Sequence, residues 1–419
     1  MKLVRHGAYI RVLRHPRTTS TFLISLVGRS AYALVFLPLF FSAQSASSSI
    51  AFAGVAVATY GAGASFLAPV RAWFIDRYGA RSVLSVLVLS FSMALLLLAY
   101  SSMTAGPTWM ILVFAGLGGA VAPPLGPTMR VAWGRLLQDP EDRKTGLSLD
   151  AVVEELLYLA GPAAAGLLLV WFSPGQALLL PAVLVAIGGI VFANTSVVSQ
   201  MSGDAPSTHR RPRERSLILR SEFAGVLVPA LVAGGTAGLI SIAVPAAAEA
   251  LGSTASVGLA LGVFAGGSAV GGLVYGMVTI PASPARQLTL LSALFVITTS
   301  LIAVADGRLT LMIILGCAGL FFSPVMIVAY LAAPALADQH QQNAATTWVN
   351  TSHNLGSAAV SATAGILIES FGTPTSVALI CGSALLLVVL SSALVTWRGV
   401  PDVRTADLER QPGSPGVKS

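Results

Sequence analysis

The sequence predicts an all-α integral membrane protein with twelve transmembrane helices in two pseudo-symmetric six-helix bundles. Three observations lead there. First, 55% of the 419 residues are hydrophobic and only 10% are charged, with a mean hydropathy of +0.81. A soluble domain carries about 25% charged residues, so this chain cannot coat a water-facing surface and lipid must be its main solvent. Second, the apolar residues form long unbroken runs, whereas an outer-membrane barrel shows short alternating stretches. Third, the arginines gather in every second gap between those runs, as the positive-inside rule requires.

The spans follow in order. Residues 1–19 form a basic tail. No small-residue cleavage site follows the first apolar run, so 20–42 is a retained helix and not a signal peptide. Further spans lie at 49–72, 82–101, 107–134, 146–172 and 176–196, each long enough for about 30 Å of hydrocarbon. The fourth carries Pro123, Pro124 and Pro127, which remove backbone donors and predict a kink. Residues 197–221 contain Ser-Gly-Asp-Ala-Pro and His-Arg-Arg-Pro-Arg-Glu-Arg, a polar, proline-broken linker with nothing to bury. Spans seven to twelve occupy 222–248, 254–278, 286–305, 309–334, 343–369 and 374–397. Pro229, Pro245 and Pro324 predict further bends. Gly258, Gly262 and Gly266, then Gly267, Gly271 and Gly276, give the eighth span a small-residue face for close packing. A tail at 399–419 ends the chain.

Charge sets the expected orientation. Arg11, Arg14 and Arg17 precede span one, Arg77 and Arg81 follow span two, and Arg135, Arg143 and Lys144 follow span four. Arg210, Arg211, Arg213 and Arg215 lie in the linker, Arg286 follows span eight, and Arg398, Arg404 and Arg410 follow span twelve, while the other loops hold only Arg308. Both termini and the linker are thus expected in the cytoplasm, with the chain multi-pass in the cytoplasmic membrane. The net charge of +7 is a topology signal, so nucleic acid is not an expected partner. Arginine dominates over lysine among the basic residues, a bias that points to a GC-rich bacterial genome.

The halves echo each other. Ala163-Ala-Ala-Gly166-Leu-Leu-Leu matches Ala362-Thr-Ala-Gly365-Ile-Leu-Ile at an offset of 199, which Phe172 and Phe371 keep. A parallel repeat of six helices places a binding site between the halves, near the bilayer midplane.

Ionisable groups within spans mark candidate functional sites. Arg29 lies roughly 14 Å into span one. Asp150, Glu154, Tyr158 and Gly161 share one face of span five, and Glu155 points about 100° away. Glu154 is therefore expected to line the central cavity, and Glu155 to bond a neighbouring helix, with Arg29 as its candidate partner. Burial disfavours a charged carboxylate and a nearby arginine favours it; a carboxyl poised between the two can carry protons. The alternatives are a static Arg–Glu pair holding two helices together and a site for a substrate cation. Arg130, near the end of span four, is either a snorkelling residue or a partner of Asp150. In span eleven, Asn350, His353, Asn354 and Ser357 form one polar stripe, read with Tyr158 as cavity lining; the alternative is interhelical hydrogen bonding. Cys317 and Cys381 fall inside apolar runs and read as packing residues.

Between spans two and three stands Ala72-Trp-Phe-Ile-Asp76-Arg77-Tyr-Gly79-Ala-Arg81. This resembles the signature loop of the major facilitator superfamily, Gly-x-x-x-Asp-Arg-x-Gly-Arg-Arg/Lys. Asp76, Arg77, Gly79 and Arg81 match; Ala72 and Ala80 depart. Gly161-Pro162 with Gly166 resembles part of the Gly-Pro-x-x-Gly-Gly motif of the superfamily's drug/proton antiporters. The resemblance implies that superfamily's fold and alternating access. It also implies a cytoplasmic latch between the halves made by Asp76, Arg77 and Arg81, and proton-coupled efflux of a small organic molecule. An importer or facilitator of a polar nutrient such as a sugar is the alternative. The implied partners are a small-molecule substrate, protons and the bilayer, with the chain a monomer. No metal-ligand spacing, nucleophile–base pair or phosphate loop suggests an enzyme, a metal or a cofactor.

Overall fold

The computed structural model describes residues 6–104, 106–201, 221–250, 255–278, 280–337 and 342–397, and among these there is no strand. The first bundle comprises α1 (Thr18–Ser47), α2 (Ile50–Phe66), α3 (Ala80–Met103), α4 (Thr108–Val121), α5 (Pro140–Trp171) and α6 (Leu179–Ala193). After a 40° bend α2 continues as Ala68–Tyr78, and α4 resumes after a break as Leu125–Leu136. The second bundle comprises α7 (Ser221–Ala250), α8 (Ala255–Met277), α9 (Pro284–Ser300) and α10 (Arg308–Ala335). The helical stretch Gln342–Trp397 then breaks at Gly372, whose φ of 76° and ψ of 163° are open essentially to glycine alone. That break yields α11 (342–371) and α12 (373–397).

Nine described helices are long and apolar enough to cross a membrane, or ten with the bent α2. The stretch counted as Ala345–Ser392 holds two of the twelve spans. Helix α5 carries Glu141, Asp142, Arg143, Asp150 and Glu154 in its first half and is apolar over Ala160–Trp171. Outward faces are apolar: Val86, Leu89 and Met93 on α3, Leu290, Leu294 and Ile297 on α9, and Leu386, Val389 and Leu390 on α12 are all exposed. Such a surface has lipid as its natural solvent.

Three boundaries differ from the sequence expectation. The first 19 residues are not a plain tail. His6–Arg14 is helical, its Val12 is fully buried, and Arg11 Nη2 lies 2.7 Å from Asp142 at the start of α5. Helix α5 itself begins six residues before the expected 146, because Asp139 caps it, accepting from the Glu141 and Asp142 amides at 2.9 and 3.0 Å. Hydropathy is blind to a helix start in a charged stretch. The first residues of the linker also belong to the first bundle. Ser196–Ser199 is a helical turn with Val197 and Val198 buried, and the Ala80 amide bonds the Met201 carbonyl at 3.1 Å. Residues 202–220 of the linker lie outside the described residues.

The breaks in α2 and α4 share one partner. Arg71, nearly buried, donates to the Gly119 and Ala120 carbonyls of α4 at 3.0 and 2.8 Å and to the Gly63 and Ala64 carbonyls of α2. A helix end leaves its last carbonyls without intrahelical donors. One guanidinium thus satisfies two such ends where water is excluded.

The bundles meet where α2 packs on α11 and α5 on α8. The two contacts are related by the internal repeat. A Cβ on Gly258 would lie 2.5 Å from the Pro162 carbonyl and 2.8 Å from Gly166; one on Gly54 would lie 2.6 Å from the Ser361 carbonyl and 3.5 Å from Gly365. The offset of 199 carries Pro162 to Ser361 and Gly166 to Gly365. Both contacts lie at the end opposite the arginine-rich loops. There Glu369 of α11 also accepts from Ser49 Oγ at 2.7 Å and from the Ala51 amide at 3.0 Å. It caps the first turn of α2 across the bundle interface.

Candidate functional site

Four ionisable side chains converge inside the first bundle. Arg29 projects from α1 with its side chain 3% exposed, and its Nη1 lies 2.6 Å from Asp150 Oδ1, itself 1% exposed. Arg29 Nη2 lies 3.0 Å from Glu154 Oε2. From the far side Arg130 of α4 pairs with the same Glu154 oxygen, and its Nε stands 3.8 Å from Asp150 Oδ2. Asp150 and Glu154 can share these partners because four residues make about one helical turn. Arg130 reaches them because α4 breaks at Pro123 and Pro124 and restarts at Leu125. The quartet is electrically neutral, which is what makes its burial tolerable.

Its members are not equally sheltered. The Arg29–Asp150 pair is sealed from solvent, whereas the Glu154 and Arg130 side chains are 22% and 50% exposed. Arg29 and Glu154 line a cavity of about 110 Å³ together with Tyr32, Leu157 and the Pro123–Pro127 break. The Tyr32 hydroxyl donates to the Pro123 carbonyl there, tying α1 to the bend. Arg130 also lies within electrostatic reach of Tyr330 on α10 of the other bundle.

Arg29 meets Asp150 and Glu154, on the face that the helical period assigns to both; the expected pairing of Arg29 with Glu155 falls on a side chain outside the described residues. Arg130 is a member of the cluster and not simply a snorkelling residue. The side chains of Glu155 and Tyr158 lie outside the described residues. In α11, Asn350 accepts from the Tyr330 hydroxyl at 3.4 Å. The His353 ring packs 5.8 Å from that of Phe322, and its Nδ1 is buried without a hydrogen-bond partner among the described residues. Asn354 and Ser357 are half-buried. The His353 and Ser357 carbonyls press on Gly234 and Gly238 of α7, so this face of α11 is also a close helix contact.

A second cavity, of about 240 Å³, lies between the bundles. Phe36 of α1 and Pro162 of α5 face Ala237, Ile240 and Ser241 of α7, Leu261, Phe264, Ala265 and Ser268 of α8, and Phe322 of α10. None of the stripe residues of α11 is among its lining. The aromatic members were missed in the sequence, where a phenylalanine in an apolar run carries no signal of which way it points.

In the signature loop, Gly79 has a φ of 87° and a ψ of 146°. Arg81 Nε donates to Asn194 at the end of α6 at 3.0 Å, within its own bundle. Arg77 lies 5.7 Å from the ring centres of both Trp73 and Tyr78. Asp76 is exposed and makes no hydrogen bond or ion pair among the described residues. Among the described residues no member of the loop bridges to the second bundle in this conformation.

Comparison with known proteins agrees with this architecture. The family model described as Major Facilitator Superfamily matches residues 18–235 and again 226–417. No curated protein matches the sequence. Among solved structures, the nucleoside transporter NupG superposes with a TM-score of 0.72 at 12% identity, covering 90% of this chain and 98% of its own. A POT family transporter in complex with a thioalcohol-conjugated peptide gives a TM-score of 0.70 at 14% identity, covering 93% and 99%. A bacterial homologue of the human lysosomal transporter Spinster, in an inward-facing and unoccupied conformation, gives 0.63 at 12%, covering 98% and 100%. At these identities the likeness is one of fold.

Proposed function

The chain belongs to the major facilitator superfamily, and on that premise we propose that it exports a small organic molecule in exchange for protons. It is a multi-pass membrane transporter and not an enzyme. The observation that carries the coupling proposal is the half-accessible Glu154, held between Arg29 and Arg130 beside a fully buried Arg29–Asp150 pair. The buried pair fixes α1 to α5. Glu154 is the member that solvent can protonate; doing so removes one negative charge and frees Arg130, on the restarted segment of α4, to move. The contact of Glu154 with solvent follows how far the cleft is open, which is what coupling to alternating access requires. Glu155 remains a second candidate on the adjoining face.

Alternating access is supported by the asymmetry of the interface. The bundles are joined at the end opposite the basic loops by Glu369 and the glycine contacts, while among the described residues Asp76, Arg77 and Arg81 make no bond across them. With the basic loops in the cytoplasm, this is an inward-facing arrangement, and the signature loop engages in the opposite state. Both termini are then cytoplasmic, and the chain works as a monomer in the cytoplasmic membrane of a bacterium. In inside-out vesicles under an imposed pH gradient, exchange of substrate for protons is expected for the native chain. Glu154→Gln should lose gradient-driven transport by at least tenfold while keeping its folded yield. Undiminished gradient-driven transport by that variant rejects the coupling role.

A further inference from the structure

We propose that the 240 Å³ cavity between the bundles binds an uncharged, flat aromatic group of the transported molecule, about the size of two fused six-membered rings. This deepens the transport reading and rests on it. Helices of both bundles supply the walls, so any rocking of one bundle against the other remakes the cavity, as a transported molecule requires.

The class of ligand follows from the walls. Phe36, Phe264 and Phe322 bring three rings to it, and Leu261, Ile240, Pro162, Ala237 and Ala265 close the space between them. The rings are held in place beforehand. Phe264 and Phe322 lie 5.6 Å apart, and Phe295 packs behind both at 6.2 and 5.5 Å. Preset offset and tilted rings suit another flat π-system at little cost in ordering. Among the described residues no ionisable side chain lines the cavity; the described charges sit in the other one, with Arg29 and Glu154. A charged group entering here would give up its hydration with no counter-ion to meet it. Unaided cation–π attraction does not restore that loss at a phenylalanine, the weaker partner for such contacts.

Two hydroxyls are the polar side chains of the described lining. Ser268 Oγ has no partner among the described residues and is free to donate. Ser241 Oγ donates to the Gly238 carbonyl at 2.7 Å and retains acceptor capacity. Size then narrows the class. A cavity of roughly 150 Å³ holds benzene, and about 240 Å³ admits a second ring.

Quinoline is the probe of choice. It is flat, bicyclic and neutral at pH 7, with one ring nitrogen able to accept from Ser268. Binding to the purified full chain in detergent should be saturable. It should weaken at least tenfold for N-methylquinolinium and for quinoline-2-carboxylate, which keep the rings and add a charge of either sign. Ala265→Leu, which fills the cavity, should abolish binding in a protein that stays monodisperse. Ser268→Ala should weaken quinoline while leaving naphthalene, which has no nitrogen, unchanged. Either charged analogue binding as well as quinoline overturns the proposal. So does quinoline binding that does not saturate, or that ignores both substitutions. Equilibrium binding needs no gradient, so a chain that binds quinoline but moves no protons refutes only the coupling reading, and the converse refutes only this one.

Discussion

Arg29 shows how one charge inside the membrane is made tolerable. Its guanidinium is buried against Asp150 and beside Glu154, and Arg130 balances the second carboxylate. Removing one partner of such a pair leaves the other charge buried and alone, which costs about 3–5 kcal/mol. Arg29→Leu should therefore lower the thermal midpoint in detergent sharply, whereas Arg29→Leu with Asp150→Leu should recover most of the loss. If the double variant is no more stable than the single, Arg29 and Asp150 do not act as a pair. The helical period alone made it legible that Asp150 and Glu154 share a face. It was not legible that Arg29 meets both, because the rotation of α1 against α5 is set by packing, with Gly161 backed onto Ala33.

At the scale of helices, the broken elements carry the moving parts. Breaks in α2 and α4 divide each into a segment near the interface seal and a segment near the basic loops, and Arg71 fastens both breaks together. The lower segment of α4 bears Arg130, and that of α2 bears Asp76. Prolines announced the α4 break in the sequence. At the α2 bend Pro69 stands in the first turn of the second segment, two residues after Leu67, and removes a backbone donor there; the partner that fastens the bend to α4 is Arg71, 48 positions from Gly119. The seal at the other end depends on contact between glycines. Gly258→Ala would place a methyl group 2.5 Å from the Pro162 carbonyl, and Glu369→Gln weakens the cap on α2 from a charged acceptor to a neutral one. Each should shift the population toward the outward-open state. Spin labels on the outer ends of α2 and α11 should report a longer distance in both variants than in the native chain; unchanged distances would show that the seal lies elsewhere.

For the molecule as a whole, two bundles with apolar exteriors meet along a cleft that is closed at one end. Reporter fusions at Met1 and Ser419 should both read cytoplasmic, as should one inserted in the linker; a terminus on the opposite side from the linker would overturn the twelve-span topology. The sequence by itself determined the solvent, the number of crossings, the division into halves and the residues able to carry charge at depth. These follow from composition, run length and helical period, which are local properties. Only the tertiary structure decided which charges meet, which glycines are interface contacts, and where an uncharged aromatic cavity forms between the bundles. Those depend on the relative rotation and tilt of helices up to 320 residues apart along the chain, as Ser49 and Glu369 are. Lipid solvates every outward apolar face alike, so burial of apolar area does not select one rotation over another. Small-residue contact and charge pairing do, and neither partner of such a contact can be named until both helices are in place.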